Sequence, residues 1–236
     1  KESHSQYLDI NFLKAISLWT NIEQSNVDKL NIEDCVPLIC LHKGMLLLVE
    51  GKKKEALTFL TKVEEQNFSS IRIKELLFYS FLKLNKKNKA EKFFKEMSLK
   101  DSNLKPYRMS FFLNNDYLLN PIKTQKDGLA ETLYNISSWY YQKNLLKYSI
   151  FFGKLSLRIR PNFNAMKLLV ANALEEIGYE QLAIELISNV NKRNLYFMKF
   201  IKLKNSLQEN SLFEKQLLDD LKNLSKTFPK NWQITL

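Results

Sequence analysis

Apolar side chains recur along this chain at helical spacing, in paired stripes separated by short polar breaks. Leu129, Leu133, Ile136 and Tyr140 fall at i, i+4, i+7 and i+11, one face of a helix. After Lys143 and Asn144 the phase restarts with Leu145, Tyr148, Phe152, Leu155 and Ile159. Pro161 ends this second stripe, because proline lacks an amide donor and disfavours helix in the residue before it. The same two-stripe unit is read over 38–50 with 54–65, over 71–84 with 87–97, and over 195–207 with 211–227 across an irregular turn at 208–210. Near the start, Phe12, Ala15, Trp19 and Ile22 make a single stripe, the second helix of a unit whose first helix is partly lost or lies upstream. The predicted fold class is all-α.

The units share a period. Gly51 is followed by Asn85, and Asn144 by Gly178, each after 34 positions; Ala56 and Ala90, then Ser149 and Ala183, keep the same interval. A repeat of that length is the mark of a stacked helix-turn-helix array, an α-solenoid. Small residues at the matched positions let two helices approach to about 8–10 Å. Between Asn85 and Asn144 the period fails, the interval being 59. The stretch 98–128 therefore reads as an irregular connector with one short helix, built on Met109, Phe112, Tyr117 and Leu118 between Pro106 and Pro121. It divides an N-terminal block, 1–97, from a C-terminal block, 129–236.

These residues resemble the tetratricopeptide repeat (TPR). The resemblance lies in the small residue of the first helix at Gly44, Ser137 and Ala171, the Gly or Asn turn, the small residue of the second helix, and the closing proline at Pro161. Phe78 departs from the pattern, and the usual aromatic of the second helix survives only as Phe94. A narrower resemblance, carried by GLAETLYNISSWYY (128–141) and SLRIRPNFNAMKLLVANALEEIGYEQLAIELI (156–187), is to a family of large exported bacterial TPR proteins with a Gly-Leu-Ala-Glu opening and an Arg-Pro-x-Phe junction. It implies a longer parent chain, a cleaved signal peptide, an exported or periplasmic location, and no settled biochemical role. The TPR resemblance also implies a concave surface lined by the first helices. Transferred to this sequence, that surface holds Arg72, Glu75, Tyr79, Tyr134, Tyr141 and Asn172, a strip suited to a peptide or helix of a partner protein. The same residues serve equally well as ordinary contacts between repeats. The first set, Leu38, Leu41, Met45 and Leu48, is wholly apolar, which predicts a cover from the Trp19 helix or from a ligand. Leu168 stands where a carboxylate-clamp repeat carries lysine, which excludes that mode of peptide capture.

Composition alters this picture at one point. With 36 basic against 25 acidic residues the net charge is +11. Lys52, Lys53 and Lys54 follow one turn, and Lys86, Lys87 and Lys89 the next, so a basic edge for nucleic acid or another anionic surface is the alternative reading. A joint excess of Lys, Asn and Ile is also what an AT-rich coding sequence produces. Catalytic chemistry is sparse. Five glycines form no phosphate loop, and two histidines, His4 and His42, supply neither a triad nor a zinc signature. Adjacent carboxylates such as Glu175 and Glu176 point apart on a helix. No enzyme, cofactor or metal is expected. Cys35 and Cys40, five apart near a helix start, read as two buried or half-buried thiols rather than a disulfide. No apolar run reaches the roughly 20 residues of a membrane span.

Overall fold

The structure is a computed structural model and describes residues 3–20, 32–33, 35–66, 70–104, 109, 122–188, 190, 194–207, 219 and 222, with side chains of the first helix from Ile10 onward. Among these residues lie ten α-helices: α1 (Ser3–Thr20), α2 (Pro37–Val49), α3 (Lys53–Glu65), α4 (Ile71–Lys83), α5 (Lys87–Lys100), α6 (Gln125–Gln142), α7 (Leu146–Ile159), α8 (Asn164–Glu176), α9 (Glu180–Ile187) and α10 (Phe197–Leu207). The protein is all-α, and its helices pack largely in consecutive pairs: α2 on α3, α4 on α5, α6 on α7 and α8 on α9. The short helix expected in the connector and the second helix of the last unit lie outside the described residues.

One turn joins all four pairs. Gly51, Asn85, Asn144 and Gly178 adopt positive φ, at 81°, 59°, 58° and 78°. Glycine has no Cβ to clash there, and asparagine is the side chain that tolerates the left-handed region best. The residue after each donates its amide five positions back: Lys52 to Leu47, Lys86 to Phe81, Leu145 to Tyr140 and Tyr179 to Leu174, at 2.8–2.9 Å. These bonds satisfy carbonyls that the helix end leaves orphaned. The small residues then seat the pairs, since Ala56, Ala90, Ser149 and Ala183 are all fully buried. In the third pair the Ser137 hydroxyl donates across the interface to the Ser149 carbonyl at 2.8 Å.

Helix starts follow local chemistry. Pro37 occupies the first turn of α2, where a missing amide costs little. Ser70 caps α4, its hydroxyl accepting from the Ile73 amide. Thr124 and Asp127 form a reciprocal capping box on α6, so this helix begins at Gln125, ahead of the apolar stripe that starts at Leu129.

Packing also reaches beyond neighbouring pairs. α1 lies against both α2 and α6, and α2 touches α6. As a result Ile39 through Leu48 of α2 are all buried; of the predicted apolar set Leu41, Met45 and Leu48 lie among them, and Leu38 is half-buried against the cluster of Phe12, Leu133 and Ile136 from α1 and α6. Gly128 makes this approach possible: a Cβ there would come within 2.2 Å of the Trp19 ring. The indole Nε1 of Trp19 donates to His42 Nδ1 at 2.8 Å, and the Asn135 amide lies 2.9 Å from His42 Nε2. Because an indole nitrogen only donates, Nδ1 is the acceptor and the neutral ring carries its proton on Nε2, the nitrogen that faces the Asn135 side-chain amide. Burial lowers the His42 pKa to about 4 against the raising influence of Glu131. His42 is thus a hydrogen-bonded junction of three helices. At the other end, Leu195, Phe197, Met198 and Ile201 join the apolar cluster of α2–α5, whereas Phe200 and Leu203 join that of α8 and α9.

The cysteines depart from expectation. Cys35 and Cys40 form a disulfide, with Cα atoms 5.5 Å apart. Cys35 precedes α2 in non-helical backbone, so the angular argument against two sulfurs five apart on one helix does not apply to it.

Candidate interaction site

Four of the residues predicted for the concave surface come together. Arg72 and Glu75 are one turn apart on α4, and the Arg72 guanidinium meets the Glu75 carboxylate at 2.7 Å. From the facing helix α6, Glu131 accepts from Arg72 Nε at 2.8 Å and from Nη2 at 2.5 Å, a bidentate pair. Glu131 is wholly buried. Burial alone would depress the Arg72 pKa; Glu131 and Glu75 overcome it and hold the guanidinium charged. Removing one member of such a buried network leaves an uncompensated charge, which costs about 3–5 kcal/mol. The Arg72 group is thus committed to holding α4 against α6.

Aromatic rings frame these charges. Arg72 sits 4.9 Å from the Phe163 ring centroid and 5.8 Å from that of Tyr134, whose own ring packs on Phe163 at 5.5 Å. Arg160 covers Phe163 as well, at 4.7 Å, and its Nε lies 3.5 Å from Asp127. The Tyr196 hydroxyl, from the segment that leads into α10, donates to Glu75. Together Arg72, Glu75, Tyr79, Arg160, Phe163 and Tyr196 line a half-open cleft with an enclosed volume of about 30 Å³. That is room for an ordered water or the polar tip of one side chain.

Among the described residues, two polar groups lining this cleft lack partners. The Tyr79 hydroxyl and Arg160 Nη1 are buried with no hydrogen bond, and Tyr79 is only 2% exposed. Burial and the neighbouring Glu75 carboxylate push the Tyr79 pKa well up, so the phenol stays protonated and can donate. An unsatisfied buried polar group costs about 1–3 kcal/mol. An incoming acceptor recovers part of that.

The remaining predicted residues lie elsewhere. Tyr141, seven residues beyond Tyr134 on α6, donates to the Glu176 carboxylate of α8. Asn172 is half-buried on α8. At the turns, Lys53, Lys54, Lys86 and Lys87 are exposed, but Lys52 pairs with Glu50 at 2.9 Å and Lys89 with Glu64 at 2.6 Å. Burial, then the charge of Lys53, lowers the Lys83 pKa, which places these two lysines within each other's field.

Sequence spacing missed Arg160, Phe163 and Tyr196. Arg160 and Phe163 are the ends of the Arg-Pro-x-Phe junction, so a signal was present in the motif although it was read for family and not for chemistry. Tyr196 carries no such signal, being 121 residues from the carboxylate it bonds. Among the described residues no group of His, Cys, Asp and Glu could hold a metal ion, and no helix is long and apolar enough to cross a membrane. A scan against protein-family models gives no match, and a search of curated proteins gives none either. The likeness to TPR hairpins therefore rests on the residues and turns described above.

Proposed function

We propose that this chain is a non-catalytic protein-interaction scaffold of TPR-like hairpins, a short α-solenoid, that holds a peptide or helix of a partner at the cleft between α4 and the start of α8. The observation that carries this reading is a pair of buried donor groups, the Tyr79 hydroxyl and Arg160 Nη1, that have no partner among the described residues and line one half-open cleft. Beside them the half-buried Tyr196 offers part of its ring at low conformational cost. A partner would supply a carbonyl or carboxylate tip to the cleft and lay the rest of its chain across the neighbouring first helices.

Affinity capture with the intact chain, followed by comparison with Tyr79→Phe and Arg160→Gln, tests this. Both variants keep the ring or the bulk of the side chain while removing the unmatched donor. A partner held through the cleft should lose about tenfold in affinity with either change. Retention of every captured protein at unchanged affinity rejects the cleft as the binding site.

The second reading, an anionic surface held by the turn lysines, draws on the mutual influence of Lys53 and Lys83. Its signature is an affinity that falls linearly with salt on a logarithmic scale, and that Lys53→Glu with Lys86→Glu abolishes.

A further inference from the structure

The outer side of α7 has a chemistry that the cleft does not use. Its buried positions, Ser149, Ile150, Gly153 and Ser156, share one side of the helix. At about 100° per residue the opposite side divides into two adjoining strips. One strip holds Lys147, Lys154 and Arg158, and the helix contains no acidic residue. None of these three cations has an ion-pair partner among the described residues. The other strip holds Tyr148, Phe151 and Leu155, with Leu145 at its beginning; Tyr148 and Phe151 are 57% and 56% exposed. These rings are held from behind. Tyr140 of α6 stacks on Tyr148 and on Phe152, each at 5.4 Å, and Phe151 meets Phe152 edge-on at 5.3 Å.

An isolated exposed apolar residue is ordinary, but a contiguous strip of aromatic and aliphatic side chains marks a surface that is covered in use. We propose that this face docks an amphipathic α-helix of a partner protein, whose apolar stripe is bordered on one side by Asp and Glu. The strip from Leu145 to Leu155 is about 15 Å long and one helix wide, the footprint of helix-on-helix packing through i, i+3, i+4 and i+7 positions. Its charge is one-sided. A partner helix with carboxylates along one flank matches Lys147, Lys154 and Arg158 and leaves its other edge against Tyr140 and Leu145. A bilayer, anionic all round an inserted strip, would leave that second edge unmatched. Because the backing rings are fixed before binding, docking orders few side chains.

The test uses the whole chain and a display library of helical peptides with a fixed leucine stripe and flanking positions varied among Glu, Gln and Lys. Selected peptides should carry Glu over Lys on one flank by about tenfold, and Phe151→Ser or Leu155→Gln should weaken their binding by about tenfold. The triple variant Lys147→Glu, Lys154→Glu, Arg158→Glu should invert the preference to Lys-flanked peptides. All of the altered side chains are exposed, and matching thermal melts confirm that each variant is folded. Failure to select any peptide, or a Glu preference that survives the triple reversal, overturns the proposal. Phosphatidylserine vesicles and polyuridylate run beside the library. If the triple variant loses binding to either one while no Glu-flanked peptide is selected, the face belongs to lipid or to RNA and the proposal fails. The cleft variants Tyr79→Phe and Arg160→Gln should leave peptide selection unchanged, which separates this surface from the cleft.

Discussion

Helices α2 and α7 belong to hairpins with the same left-handed turn and the same kind of small-residue seat, yet they end in opposite surroundings. The inner ten positions of α2 are buried on every side, because α1 and α6 close over it. α7 buries only Ser149, Ile150, Gly153 and Ser156, and turns aromatic and cationic residues outward. The hairpin is therefore a local solution, fixed by turn and seat, while the exposure of each helix is decided by what packs on it later. Burial of α2 depends on residues far off in sequence, Trp19 and Gly128 above all.

The largest expected effect breaks the α2 side of this contrast through pH. The His42 pKa is about 4 when folded, against an ordinary value of 6.5. A lowered histidine contributes stability that is whole above pH 6.5 and disappears as pH falls toward 4, because the unfolded chain binds the proton first. The loss should reach about 3 kcal/mol. Denaturant midpoints of wild type and His42→Gln, measured from pH 7 to pH 4, should converge; parallel profiles would refute the linkage.

A smaller effect comes from Gly128→Ala. Its new methyl group meets the Trp19 ring and forces α1 off α6, with an expected loss of about 2 kcal/mol and a rise in exposed tryptophan fluorescence. An unshifted emission maximum together with full stability would show that α1 tolerates the methyl. Turn substitutions should be equal in both hairpins. Gly51→Ala and Asn144→Ala each place a Cβ-bearing residue other than asparagine at positive φ, for about 1 kcal/mol by thermal melting. A large difference between them would mean that the surroundings, and not the turn, set the hairpin. The smallest effect is expected on α7, where Phe151→Ser should change stability by no more than about 0.5 kcal/mol. A drop of several times that size would show the ring to be structural.

The hairpins were legible because their determinants are local. A residue tolerant of positive φ, recurring after 34 positions within each block and followed five residues later by Ala or Ser, states the turn and the seat directly. The cleft was half legible. The TPR resemblance placed Arg72, Glu75, Tyr79 and Tyr134 along one surface, but it does not say that Glu131 would take both guanidinium edges or that the chain would return with Tyr196. Helical spacing also misread the cysteines, since a five-residue offset on a helix was applied to Cys35, which lies ahead of the helix that Pro37 starts. For α6 the reverse holds: the Thr124 and Asp127 pair announces a start four residues ahead of the first apolar position.

The bond from Tyr196 to Glu75 closes a loop of 121 residues. On the ribosome, Arg72 and Glu75 emerge first, then Glu131, and the phenol last. The α4–α6 ion cluster can thus assemble during synthesis while Glu75, already paired with Arg72, still waits for its second donor, and the seal arrives only when the segment before α10 has been made. Order of emergence makes this segment the closing stitch of the molecule.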